Sequence, residues 1–299
     1  MPLISNRQSK TEKAFTLIEL LVVIAIVGIL AGLAVVSMSG ATEAAKIAKS
    51  KVFANSVNNS LLSNRVSEWR FDEPSGGTTA DSINSINGTL VNAPARLSSG
   101  CVADGCLQFN GSSSYVDCGY NQLFDITKNI TISVWAKGTG TIVNKGGEPE
   151  TYSVCIRSNK AVFYRELQDG TNEYLTGAMN VDITKWHNIV AVDDGSLMYI
   201  YVDGKRDPNT LSSVGWLAGI DSSPLRIGHV GASGSEAAAA GYFNGSIDEV
   251  RIYNKNMTAY QIREEYASKL VELLAQGKIA EEEYRQRIAD LNSTYATNK

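Results

Sequence analysis

Residues 15–36, FTLIELLVVIAIVGILAGLAVV, form an apolar run broken only by Thr16 and Glu19. As a helix the run spans about 33 Å, enough to cross the hydrocarbon core of a bilayer. Arg7, Lys10 and Lys13 precede it, and positive charge retains that end on the cytoplasmic side. Hydrophobicity alone fits a signal peptide cut near Ser39 and Ala41, a plain membrane anchor, or an anchor that also serves assembly. Glu19 separates these readings. A carboxylate inside an apolar span costs about 3 kcal/mol on insertion scales, so its position implies a partner.

The block KAFTLIELLVVIAIVGILAGLAVV resembles the prepilin motif shared by type IV pilins and type II secretion pseudopilins. The resemblance implies a leader of residues 1–14, cut by a prepilin peptidase between Ala14 and Phe15, and methylation of the new terminus. Ala14 departs from the family's usual glycine but keeps a small side chain at the junction. Glu19 matches the family's fifth mature residue. The terminal amine of a neighbouring subunit's Phe15 would neutralise it and fix the register between subunits. Residues 41–67 contain no glycine or proline, and Ala41, Ala45, Ala48 and Val52 recur at helical spacing. A helix over residues 15–67, apolar all round and then amphipathic, is the expected spine.

From Trp69 the pattern changes to short alternating runs. In ITISVWAK, Ile130, Ile132, Val134 and Ala136 alternate with Thr131, Ser133, Trp135 and Lys137. KWHNIVAVDD and SLMYIYVDGK meet at Asp194-Gly195, a hairpin signal, and Asp203-Gly204 ends the second run. Many short antiparallel strands predict a sandwich or jelly roll. EWRFDEPSGGTTADS, CLQFNGSSSYVDCG, ITISVWAK, KWHNIVAVDDGSLMYIYVDG, PLRIG and YFNGSIDEVRIYNKNMTAYQI, in that order, resemble the laminin-G-like concanavalin A-type jelly rolls over residues 68–267. The resemblance implies two curved antiparallel sheets packed face to face. The expected fold is therefore an all-β jelly-roll sandwich on a long N-terminal helix, closed by a short C-terminal helical hairpin over residues 268–299. In that hairpin Leu270, Leu273 and Leu274 lead to a stop at Gly277, and Ile279, Tyr284, Ile288 and Leu291 form a second stripe.

The resemblance also implies binding to a glycan or a surface protein. Tyr152, Tyr164, Tyr174, Tyr199 and Tyr201 are the aromatic candidates for stacking on sugars, with cross-strand packing as their alternative role. One calcium ion is expected from the same resemblance, held by Asp81 and Asp248 with Glu73 as a third ligand. Turn chemistry is the competing role for these carboxylates.

Hydrolysis of glycosides needs two carboxylates flanking the bond, and no E-x-D-x-E or E-x-D-x-x-E run occurs. Glu148 and Glu150 read as loop residues. Glu281, Glu282 and Glu283 read as a solvated helix face, and His187 as structural. The expectation is a protein that is not an enzyme, with a membrane-tethered carbohydrate-active enzyme as the alternative.

The net charge is −4, and removal of residues 1–14 lowers it by two more. That balance argues against nucleic acid as a partner. The four cysteines fall between residues 101 and 155 without metal-site spacing. In an exported chain they favour disulfides, with Cys101–Cys106 as one short bridge. Cys118 and Cys155 are left as a second pair or as buried thiols. The prepilin resemblance implies a precursor in the cytoplasmic membrane, crossing once. It implies a later place in a surface pilus with other pilin subunits, or in a periplasmic pseudopilus as a secretion pseudopilin.

Overall fold

The computed structural model describes residues 17, 18, 20–30, 52, 56, 61–146, 150–212, 222–229 and 241–296. Two compact units divide the chain, Met1–Lys49 and Ser50–Lys299. In the first, residues 17, 18 and 20–30 are helical (α1), and their large apolar side chains are exposed, Leu17 at 81%. No helix among the described residues is long and apolar enough to cross a membrane. The predicted span over residues 15–36 extends beyond those residues.

The second unit is mostly β. Its strands are β1 (Arg65–Trp69), β2 (Thr78–Thr79), β3 (Gly88–Val91), β4 (Ala95–Leu97), β5 (Cys106–Asn110), β6 (Tyr115–Asp117) and β7 (Ile130–Gly146). There follow β8 (Glu150–Arg157), β9 (Lys160–Glu166), β10 (Asn172–Thr176), β11 (His187–Asp193), β12 (Leu197–Val202), β13 (Lys205–Ser212), β14 (Leu225–Ile227) and β15 (Asn244–Tyr253). Helices α2 (Ala259–Ala275) and α3 (Glu281–Ala296) close the unit. The predicted boundaries shift at both ends. Leu61 and Leu62 are helical, but β1 begins at Arg65 because Arg65 and Ser67–Trp69 pair with β15. At the other end α2 begins at Ala259, where Thr258 and Gln261 form a capping box.

Two curved antiparallel sheets packed face to face were expected; the structure has two such wings, joined through β7 into one curled antiparallel sheet. The residue-by-residue reason lies in β7. Its first half pairs with β11 on one edge and β15 on the other, and its second half pairs with β8 and β14. One strand therefore belongs to both wings. One wing runs β10-β9-β8-β7-β14-β6-β3-β2. The other runs β13-β12-β11-β7-β15, and β15 passes on to β5 and β1. The turn from one wing to the other falls at Gly138 and Gly140, whose φ values are +141° and +120°. A Cβ on Gly138 would lie 2.2 Å from the Asn244 carbonyl oxygen, and one on Gly140 would lie 2.5 Å from that of Tyr242. Glycine is needed here both for the conformation and for the approach of β15.

The wings enclose one core. Ile130, Ile132, Val134 and Ala136 of β7 point into it, together with Ile142 and Val143 beyond the bend, and with Val154, Phe163, Ile189 and Ile252. The opposite face of β7 is also covered. Thr131, Ser133 and Trp135 are all buried, and Trp135 stacks on Tyr266 of α2 with ring centroids 5.7 Å apart. The two C-terminal helices thus pack on the outside of the sheet. Tyr266, Leu270 and Leu273 of α2 and Leu291 of α3 are buried against Trp135 and Val102. The stop at Gly277 is made by a left-handed residue (φ +67°), with N–H bonds from Gly277 to Leu274 and from Lys278 to Leu273. Both Asp-Gly turns occur: β11 pairs with β12 across Asp194-Gly195, and β12 with β13 across Asp203-Gly204.

The bend supplies the first prediction. Gly138→Ala should lower unfolding stability by about 3 kcal/mol, because strained φ and a backbone overlap act together. Urea denaturation measures this, and an unchanged midpoint would show that the bend does not depend on glycine.

Candidate ligand-binding groove

β15 carries a bulge at Glu249, a non-glycine residue with φ +52°. At this bulge the neighbour of β15 changes from β5, ending at Ile247↔Leu107, to β1, beginning at Val250↔Trp69. The irregularity places charged side chains where a regular strand would place apolar ones. Arg251 contacts Glu68 of β1 at 2.7 Å, Glu265 of α2 at 2.9 Å, and Glu249 itself. Lys269 of α2 reaches Glu249 at 2.9 Å, and Arg65 reaches Glu68 at 3.0 Å. Burial pushes the Glu68 carboxyl up, but Arg251 and Arg65 outweigh it and hold the group down at about 2. Burial likewise raises Glu249, and Arg251 with Lys269 reverses the direction. This network binds the first strand, the last strand and α2 together.

Asp248 is different. It is fully buried, and burial first, then repulsion from Glu249, raises its pKa to about 8. Its Oδ2 accepts N–H bonds from Val102 (3.0 Å) and Ala103 (2.9 Å), while its Oδ1 has no hydrogen-bond partner among the described residues. It therefore pins the loop closed by the Cys101–Cys106 disulfide. Asp72 receives the Gly105 N–H at 2.9 Å, and the Lys278 ammonium donates to the Ala103 carbonyl. Trp186 Nε1 donates to the Gly100 carbonyl at 2.7 Å.

The pinned loop forms one wall of an open groove of about 740 Å³. Trp135 and Lys137 of β7 form its floor, Thr184, Lys185 and Trp186 a second wall, and residues of α2 and α3 with their connecting turn a third. The Lys137 ammonium lies 5.8 Å from the Trp186 ring centroid. Four cations line the groove (Lys137, Lys185, Lys278 and Arg287) against one carboxylate, Glu283. Glu283 is paired with Arg287 at 2.7 Å. Such a mixture of an aromatic wall, hydroxyls and net positive charge suits a polar, anionic ligand.

The predicted site residues fall elsewhere. Ala14, Phe15, Glu19 and Glu148 lie outside the described residues. Asp81, Asp248 and Glu73 do not assemble as a calcium ligand set, and no cluster of three His, Cys, Asp or Glu occurs among the described residues. Asp81, Glu73 and the Oδ2 atom of Asp248 face N–H donors, while Asp248 Oδ1 has no partner among the described residues. Asp81 accepts from the backbone of Glu68, Ile83, Asn84 and Ile86 at 2.9–3.1 Å, as a turn carboxylate does. Glu73 accepts from Ala80 N at 2.6 Å and pairs with Arg96 at 3.0 Å.

Cys118 and Cys155 are buried thiols, not a disulfide. Cys118 follows β6 and Cys155 lies on β8, with β14 and β7 between them in the sheet. Three strand spacings amount to about 14 Å, which no disulfide spans.

Tyr152, Tyr164 and Tyr201 are buried; Tyr152 belongs to the core, and Tyr164 donates to Asn172 at 2.8 Å. Tyr174 packs on Tyr164 with centroids 5.0 Å apart, and Tyr199 lies under Arg206 at 4.1 Å. All five make packing contacts within the fold, Tyr174 and Tyr199 while half-buried. His187 bonds Asp203 at 2.7 Å across the turn, and His229 stacks on Tyr242 at 4.1 Å. Burial, with Arg226 adding to it, lowers the His229 pKa to about 4. Glu281 and Glu283 pair with Arg285 and Arg287 one turn along α3. Trp186 and Lys137 were not singled out from the sequence; the Lys185-Trp186 step, a cation beside an aromatic ring, was the available signal.

The family model of the concanavalin A-like lectin/glucanases superfamily matches residues 110–263. The chain belongs to this superfamily. The prokaryotic N-terminal methylation motif matches residues 9–35, which implies processing by a prepilin peptidase and pilin-like assembly. No curated protein matches in sequence. Among solved structures, this concanavalin A-like chain is similar to the binding domain of Paraclostridial Mosquitocidal Protein 1, at TM-score 0.55 and 13% identity, covering 70% of this chain and 53% of that one. It is also similar to the binding domain of Botulinum neurotoxin DC solved in complex with rat synaptotagmin II, at TM-score 0.52 and 16% identity, covering 70% and 52%. A third is from work on cell entry of botulinum neurotoxin type C and two ganglioside molecules, at TM-score 0.53 and 15% identity, covering 71% and 52%. These likenesses concern fold alone. The chain spans about half the length of those structures.

Asp248 gives a pH prediction. Below about pH 4 both folded and unfolded chains hold its proton. Above that the unfolded chain releases it while the folded chain keeps it up to about pH 8, so this group's contribution to stability falls as pH rises through that window. Asp248→Asn removes the titration and keeps an acceptor for Val102 and Ala103. Its stability relative to wild type should therefore increase from pH 4 to pH 8, by a few kcal/mol in total. Urea titrations at several pH values measure the difference; a flat difference would mean that Asp248 ionises normally.

Proposed function

We propose that the chain is a type IV pilin-like filament subunit that displays its concanavalin A-like unit as a binding, adhesive domain for a glycan or protein. The observation that carries this reading is the methylation motif over residues 9–35, set ahead of a concanavalin A-like domain in one chain. In this reading the precursor crosses the cytoplasmic membrane once, a prepilin peptidase cuts at Ala14–Phe15, and the helix then packs with other subunits. Glu19 pairs with a neighbour's Phe15 amine. The mature protein sits in a surface pilus.

Binding as the role of the globular unit is supported by the similar solved structures, one a toxin binding domain in complex with synaptotagmin II and another from a toxin whose cell entry depends on interaction with two ganglioside molecules. The enzyme alternative is disfavoured by the groove's lining, which carries one carboxylate, Glu283, where glycoside cleavage needs two. The pseudopilin alternative uses the same motif and differs in where the filament resides.

Mass spectrometry of the mature N-terminus tests the reading. A methylated Phe15 is expected. A terminus near Ala41 would mean an ordinary signal peptide and would remove the filament. Glu19→Ala should leave membrane insertion intact and reduce incorporation into filaments at least severalfold, as read by shearing and immunoblotting. Wild-type incorporation would contradict the pairing of Glu19.

A further inference from the structure

We propose that the groove between the disulfide loop, Trp186 and the C-terminal helices binds an acidic saccharide, with Lys137 taking its carboxylate. This deepens the binding reading above and rests on it.

The lining has a charge opposite to that of the whole chain: four cations against one carboxylate, in a protein of net charge −4. That single carboxylate is already paired with Arg287. Lys185 pairs with Asp182 at 3.3 Å on the exposed rim, and Lys278 is held by the loop carbonyls. Lys137 is the exception. Its ammonium sits over the Trp186 ring, and no carboxylate pairs with it among the described residues. It is a half-buried cation held in place without a counter-charge, ready to form a charge-assisted hydrogen bond.

The surroundings favour a sugar over an acidic peptide. Ser98, Ser99, Thr184 and Gln286 offer hydroxyl and amide partners for sugar hydroxyls, and Trp186 offers an apolar wall. The loop wall is fixed by Asp248, Asp72 and the Cys101–Cys106 bridge, so little ordering is left to binding.

The test is calorimetric titration of the full chain in detergent micelles with tetragalacturonate, tetragalactose and a tetraglutamate peptide. Tetragalacturonate is expected to bind and the other two are not. Lys137→Gln should weaken binding about tenfold, while Lys137→Arg should restore most of it, with melting temperatures unchanged in both. Equal binding by Lys137→Gln, or equal binding of the neutral and acidic sugars, would overturn the proposal while leaving the wider binding reading in place. Binding of tetraglutamate without the sugar would overturn the saccharide assignment. Failure of wild type to bind tetragalacturonate would also overturn it. A screen of the same protein against neutral glycans and gangliosides then decides the wider reading separately.

Discussion

Everything in the globular unit depends on one strand serving two wings. β7 must pass from the ladder with β11 and β15 to the ladder with β8 and β14 without ending. L-residues do not readily adopt the backbone angles of Gly138 and Gly140, and any side chain there would meet the carbonyls of Asn244 and Tyr242. The bend therefore fixes more than curvature. It sets where β15 lies, and β15 in turn carries the bulge at Glu249. Because the bend keeps residues 130–136 in line, their even-numbered side chains fill the core while Trp135 and Lys137 face the outer layer.

The outer layer is where the groove arises. A sheet with one covered face would leave Trp135 in water. Here α2 and α3 cover part of that face, and the uncovered part becomes the groove floor. The ion network of Glu68, Glu249, Arg251 and Lys269 anchors α2 to the strands beneath it. Buried charges of this kind contribute little net stability but are costly to break singly, so they fix geometry. Asp248, whose pKa burial pushes up, extends the same anchoring to the disulfide loop through the Val102 and Ala103 N–H groups. The bulge, the helices and the loop are thus one mechanical assembly around the groove.

Much of the fold was legible because its signals are local. The alternation from Ile130 to Ala136, the two Asp-Gly turns and the stop at Gly277 each depend on neighbouring residues. The bridge between Cys101 and Cys106 spans only four intervening residues. What was not legible depended on contacts distant in sequence. Cys118 and Cys155 look like a pair in sequence and are three strands apart in the sheet. Asp81 and Asp248 look like hard ligands and are bound by N–H groups that folding alone supplies. The groove was invisible for the same reason, since it gathers residues 98–103, 135–137, 184–186 and 273–287 from separate parts of the chain. The tyrosines stayed open between packing and stacking on a ligand, because a ring's type says nothing about which side of a strand will be covered.

The pairing of β1 with β15 also determines how the unit responds to tension. β1 is the first strand among the described residues, so a pull transmitted along the chain from its N-terminal side reaches it before the other described strands. Its neighbour is the last strand, and the two run antiparallel from Arg65↔Tyr253 to Trp69↔Val250. Glu68 clamps to Arg251 across that seam, and Arg251 is itself held by Glu265 of α2. Trp69, wholly buried at the far end of β1, plugs the strand into the core. Extraction of β1 would require breaking the ladder, the charge clamp and the tryptophan plug at once, so the force-bearing seam is locked by the two ends of the domain holding each other.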